Sequence, residues 1–129
     1  MLPLAHPGAW RAASAALLAA LVIACLVPMG PVLGPESGNL DKVGHFVAYL
    51  ALAGWFAGLY PRPRYGRIAL ALALLGLAIE VLQQLMGLGR EGDPLDLMAN
   101  LAGIGVGFAL GHGFAGGWGP RVEAWLARR

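Results

Sequence analysis

The chain has 129 residues, 58% of them hydrophobic and only 12% charged, with a mean hydropathy of +0.67. A soluble domain normally carries about a quarter charged residues, so this composition excludes an ordinary water-soluble globule. The formal charge of +2 comes from arginines grouped in three segments, a distribution that speaks to membrane orientation and against a nucleic-acid partner.

A membrane-spanning helix needs roughly 20 apolar residues. Residues 12–33 form the first candidate, with Pro28 and Pro31 bending or ending its last turns. It contains the single cysteine, Cys25, which excludes an intrachain disulfide. The run Val22-Ile23-Ala24-Cys25 weakly resembles a lipoprotein processing site, but a buried apolar cysteine is the simpler reading. A cleaved signal peptide is the alternative for this segment, although no convincing small-x-small cleavage site follows it. Residues 43–60 form a short second span, 68–88 a third and 94–114 a fourth. The expected fold is therefore all-α, one domain over residues 1–129 built as a four-helix transmembrane bundle. The tail, 116–129, is too short and too charged to cross. Trp118, Val122, Trp125 and Leu126 share one helical face there, which suits an amphipathic segment lying in the interface. Trp10 and Trp55 read as interface or packing aromatics.

Charge in the loops predicts orientation. Arg11, Arg62, Arg64, Arg67, Arg121, Arg128 and Arg129 fall on one side, and Lys42 and Arg90 on the other. The positive-inside rule then places both termini in the cytoplasm of a bacterial-type inner membrane. The acids Glu36, Asp41, Glu91 and Asp93 fall outside. Simple inversion is the alternative topology.

Polar residues gather in the outer half of this arrangement. Glu80 interrupts an apolar run about twelve residues into the third span, roughly 18 Å along it. A carboxylate at that depth is costly unless protonated, paired or hydrated, so it marks a candidate site. Glu80, Gln83, Gln84 and Gly87 share a face. Asp41, His45 and Tyr49 recur at i, i+4 and i+8 on the second span, with Lys42 beside them. Asp96, Asn100, Gly103, Gly107 and Gly111 form a stripe on the fourth. Its three glycines make a double small-xxx-small pattern that lets another backbone approach, including that of a second copy in a homo-oligomer. One convergent cluster is more economical than three separate buried polar faces.

Each residue also has a purely structural reading. Asp93 before Pro94 is an N-cap followed by proline at the first helical position. Asp96 either completes that cap or belongs to the cluster. Asn39 and Asp41 are candidate caps of the second span, and Lys42 can simply reach the interface. Tyr49 suits packing. Gln83, Gln84 and Asn100 suit interhelical hydrogen bonding. His45, Glu80 and Asp96 lack any recognisable metal-ligand spacing, and neither a metal nor another cofactor is expected from the sequence.

The run Asp41-Lys42-Val43-Gly44-His45-Phe46-Val47-Ala48-Tyr49 resembles the D-K-x-x-H-F-x-x-Y opening of the VanZ-like membrane protein family. Glu80-Val81-Leu82-Gln83 resembles its E-x-x-Q helix. Arg90, then Asp96, Asn100, Gly103 and Gly107, resembles its R…D-x-x-x-N-x-x-G-x-x-x-G segment. Asp93 departs from the small hydroxyl residue of that pattern. The three motifs occur in order and cover more than half of the chain. The resemblance implies a small helical membrane protein whose founding members are associated with low-level teicoplanin resistance. It carries over Asp41, Lys42, His45, Tyr49, Glu80, Gln83, Arg90, Asp96 and Asn100 as family positions.

Three readings of the cluster follow. In the first, Lys42, His45, Tyr49, Glu80, Gln83, Gln84, Arg90, Asp96 and Asn100 line a pocket facing the outer leaflet. Its ligand is a lipid-linked cell-wall intermediate, another membrane-lipid headgroup or a lipoglycopeptide. Lys42, His45 and Arg90 would meet its phosphate or carboxylate, and the amides its sugar or amide groups. In the second, the cluster is an intramembrane active site with Glu80 and His45 as the acid–base pair and Asp96 orienting His45. In the third, it is a closed polar network that fixes helix registry.

Overall fold

A computed structural model describes residues 1–26, 38–86 and 93–129. The expected Pro28 and Pro31 bend, the Glu36 and Glu91 loop positions, Gly87 and Arg90 lie outside the described residues. Five α-helices are present among them: α1 (Pro7–Leu26), α2 (Gly38–Leu59), α3 (Tyr65–Met86), α4 (Pro94–Leu110) and α5 (Trp118–Leu126). A 3-10 turn, Arg62–Arg64, leads into α3, and a π-helical turn, Gly111–Ala115, extends α4. Four helical segments are long and apolar enough to cross a bilayer: Pro7–Leu26, Leu40–Leu59, Arg62–Met86 and Pro94–Ala115. Helix α1 starts at Pro7, ahead of the expected start at residue 12, because proline is accommodated at the first position of a helix.

Sequence periodicity decides which faces turn inward. On α3, Leu70, Leu74, Leu77, Val81 and Leu85 are exposed, whereas Leu72, Gly76, Ile79, Glu80 and Gln83 are buried. Large aliphatics thus cover the outside, as lipid favours, and Glu80 and Gln83 turn toward neighbouring helices.

The closest helix pair is α2 with α4, and its glycines explain the approach. A Cβ on Gly103 would run into the Phe46 carbonyl oxygen and lie 2.9 Å from the Leu50 nitrogen. One on Gly107 would lie 2.5 Å from the Ala53 Cβ and 2.8 Å from the Leu50 carbonyl oxygen. Gly111 continues the contact at Ala57. The close approach that the stripe permits is therefore made within the chain. A homo-oligomer using Gly103, Gly107 and Gly111 would first have to displace α2.

At the opposite end of the bundle from Asp41 and Asp93, both termini are pinned to the C-terminal half of α2. The Leu2 N–H donates to the Leu59 carbonyl at 2.8 Å, and the Gly117 N–H to that of Ala57 at 3.0 Å. Trp10, Trp55 and Trp118 pack against one another with ring centroids 5.1–5.6 Å apart. Trp118 rests over Gly58, where a Cβ would collide with its indole, and donates to the Gly54 carbonyl at 3.1 Å. The tail therefore docks through Trp118, while Trp125 and Leu126 remain exposed for an interface.

Glu123 on α5 completes this clasp. It accepts from the Ala5 N–H at 2.6 Å, the His6 N–H at 3.0 Å and the Trp10 indole N–H at 2.8 Å. Desolvation raises its carboxyl, but these donors and His6 outweigh it, and the net shift is below the ordinary glutamate value. A folded-state value below the unfolded one stabilises above the ordinary range, and that contribution disappears as pH falls through the lowered value. Tryptophan emission should therefore change in acid below the ordinary glutamate range, and Glu123→Gln should abolish that transition. An unchanged acid transition in Glu123→Gln would remove Glu123 as its origin.

Candidate functional site

The cluster is assembled at the meeting of α2, α3 and α4. Asp93 is the N-cap of α4: its Oδ1 accepts from the Leu95 N–H at 2.9 Å, and Pro94 follows in the first turn. The Asp93 N–H in turn donates to Glu80 Oε2 at 3.1 Å, which ties α3 to the start of α4. Lys42 reaches across from α2, with its Nζ 2.8 Å from Asp93 Oδ2 and 3.9 Å from Asp96 Oδ1. The Lys42 ammonium, followed by the Leu95 N–H, holds the Asp93 carboxyl below the usual aspartate range.

Beneath this rim the side chains are buried. His45 is 5% exposed, Asp96 5%, Asn100 1% and Tyr49 0%. His45 Nδ1 lies 3.0 Å from Asn100 Oδ1, and its Nε2 lies 3.9 Å from Asp96 Oδ2. Asp96 therefore turns its side chain toward α2, where it meets Lys42 and His45. Gly76 of α3 opens the space in which Tyr49 and Asn100 meet: a Cβ there would lie 3.1 Å from both Asn100 Nδ2 and the Tyr49 hydroxyl.

Gln83 is buried on the same face of α3 as Glu80 but faces α1, donating from Nε2 to the Cys25 carbonyl at 2.8 Å. Gln84 is exposed. The buried stripe of α3 accordingly runs through Gly76, Glu80 and Gln83, and the expectation that Gln84 shares it does not match this packing. Asp41, His45 and Asp96 bring one ligand atom each within 4.8 Å of one another. Sequence spacing conceals this triad because Asp96 comes from a distant helix. The visible signal was the Asp41–His45 pair, one turn apart.

Four buried polar atoms in the cluster have no hydrogen-bond partner among the described residues: the Tyr49 hydroxyl, Glu80 Oε1, Asp96 Oδ1 and Asn100 Nδ2. Two cavities lie elsewhere. A groove of about 540 Å³ runs beside Leu18, Phe56, Ile68 and Leu72, with Arg64 and Arg67 at its edge. A second, of about 280 Å³, is lined by Tyr60, Arg62, Tyr65 and Phe114 among others. Neither touches the polar cluster.

Compared with known protein families, the chain matches the family model described as VanZ/LLP1 over residues 4–115. No curated protein and no solved structure matches it.

Proposed function

The chain belongs to the VanZ/LLP1 family, and we propose that this integral membrane protein binds the polar end of an amphipathic envelope ligand in the α2–α3–α4 cluster. The ligand class is a lipid-linked cell-wall intermediate, a related lipid headgroup or a lipoglycopeptide of the teicoplanin type. The proposed orientation puts both termini in the cytoplasm and the cluster in the outer half of the membrane, with seven of nine basic residues inside.

The observation that carries the reading is the set of four buried polar atoms without partners. A network whose only task was to lock three helices together would be expected to satisfy its own groups, because each orphan costs about 1–3 kcal/mol. Here a hydroxyl, an amide nitrogen and two carboxylate oxygens are presented together instead. The hydroxyl and the amide nitrogen can donate to sugar, amide or phosphate oxygens, and the carboxylate oxygens can accept from hydroxyls and amide N–H groups. Lys42, partly exposed at the rim, is the first group such a ligand would meet.

The test uses the full chain in nanodiscs containing a polyprenyl phosphate, with retained lipid read by native mass spectrometry. Selective retention, reduced about tenfold or more in Lys42→Ala with Asn100→Ala, is the expected result. No retention above that of a neutral lipid of equal chain length would defeat the proposal.

An intramembrane enzyme is the second reading, favoured by the unpartnered Glu80 Oε1. Its proposed acid–base pair must accommodate His45 being engaged by Asn100 on one nitrogen and facing Asp96 with the other. Turnover of an envelope lipid that survives Glu80→Gln would eliminate Glu80 as acid or base.

A further inference from the structure

We infer that Asp41, His45 and Asp96 bind one divalent transition-metal ion of the manganese class. Asp41 and His45 stand one turn apart on α2, and Asp96 comes from the first turn of α4. The glycine-mediated contact fixes those two helices against each other. A carboxylate oxygen from each acid and an imidazole nitrogen lie within 4.8 Å of one another. Oxygen and imidazole ligands sit about 2.0–2.2 Å from such an ion, so two ligand atoms on one ion are about 3–4 Å apart. The His45 Nε2 to Asp96 Oδ2 separation is 3.9 Å. That is too long for a hydrogen bond and suitable for an ion between them.

The setting of His45 is an independent observation. Its Nδ1 faces the Asn100 side-chain oxygen at 3.0 Å. A carboxamide oxygen only accepts, so the contact uses Nδ1 as the donor and leaves Nε2, on the Asp96 side, as the ring nitrogen that can meet an ion. A carbonyl partner on the far nitrogen is how metal-ligating histidines are oriented. Asn100 is thus the positioning residue of the site.

Charge supplies the third argument. Asp96 is 5% exposed and its Oδ1 has no hydrogen-bond partner; Glu80 is 7% exposed and its Oε1 has none. Asp96, His45 and Asp41 are near enough to act on Glu80 electrostatically. Lys42 lies close against Asp93 at the rim and 3.9 Å from Asp96. The Asp41 and Asp96 carboxylates reach toward one point in this setting. A divalent ion there would offset their mutual repulsion where water is scarce. One imidazole with two carboxylates suits manganese better than calcium or magnesium, which favour all-oxygen shells. This assigns a metal where sequence spacing alone gave no reason to expect one. The ion would also allow an anionic headgroup to approach an acidic cluster, a bridging role that rests on the ligand reading above; ion binding itself does not.

The test is a titration of the full chain, purified in detergent and stripped with chelator, using Mn²⁺ alone and electron paramagnetic resonance. One bound ion per chain is expected, with electron spin-echo modulation from a single imidazole nitrogen. Asn100→Ala should weaken binding about 10–100-fold. His45→Gln should remove the nitrogen signal, whereas His112→Ala should keep it, because His112 is exposed beyond the far end of α4. Absence of stoichiometric Mn²⁺ binding by the unmodified chain overturns the assignment. So does bound Mn²⁺ without the nitrogen signal, a measurement that needs no variant to fold. If Mn²⁺ binds as described but no polyprenyl phosphate is retained, the ion site stands and the ligand reading fails. Lipid retention by a chain that binds no Mn²⁺ gives the reverse.

Discussion

Replacing Gly103 with leucine should abolish the folded monomer in detergent, with loss of its size-exclusion peak and of the cooperative thermal transition. The obstacle is backbone, not a movable side chain. A single added carbon at Gly103 already meets the Phe46 carbonyl oxygen and the Leu50 nitrogen. Those atoms belong to the hydrogen-bonded ladder of α2 and cannot rotate away. Overpacking in a core typically costs about 1–3 kcal/mol even when side chains can adjust. Here α2 and α4 must separate, which would open the contact between His45 and Asn100. Gly107→Leu should behave similarly, because its neighbours are the Ala53 Cβ and the backbone of Leu50 and Gly54. Gly105→Ala is the matched control: an added Cβ there meets nothing within 4 Å, and its stability should be unchanged. Wild-type melting behaviour in Gly103→Leu would show that the helix pair is not packed as described.

The same glycines illustrate what the sequence could disclose. Their four-residue spacing identified a surface for close backbone approach but could not say which helix occupies it. Hydropathy located the four helices that, among the described residues, are long and apolar enough to cross a bilayer, because the bilayer imposes a length and an apolar composition on each. The first helix begins at Pro7, ahead of the span expected from residue 12, since Ala9, Trp10 and Arg11 are compatible with either interface or helix. Shared polarity at one depth predicted the meeting of His45, Glu80, Asp96 and Asn100. It also admitted Gln84, because i+3 and i+4 positions are both near neighbours of residue i on a helix. Only packing separates the buried Gln83 from the exposed Gln84. The hydrogen bond from Gln83 to the Cys25 carbonyl was illegible for a further reason: a backbone acceptor on another helix leaves no residue-type signature.

Substitution of Glu80 should separate folding from function, with Glu80→Gln retaining the fold and losing at least tenfold in polar-ligand retention. Tenfold corresponds to about 1.4 kcal/mol. The asymmetry follows from the two carboxylate oxygens. Oε2 accepts the Asp93 N–H at 3.1 Å, a role the glutamine side-chain oxygen can fill. Oε1 is buried and has no partner among the described residues, so their packing gains no hydrogen bond from it. Glu80→Leu extends the argument. It leaves the Asp93 N–H without its acceptor, at a cost of about 1–3 kcal/mol, but the apolar replacement escapes the cost of burying a carboxylate. Detergent melting and retention of a polyprenyl-linked sugar, whose hydroxyls can donate to Oε1, should therefore move independently: modest changes in melting, and loss of retention in both variants. If both variants retain the lipid and only melting falls, Glu80 is a registry lock, and the ligand must be sought outside this cluster.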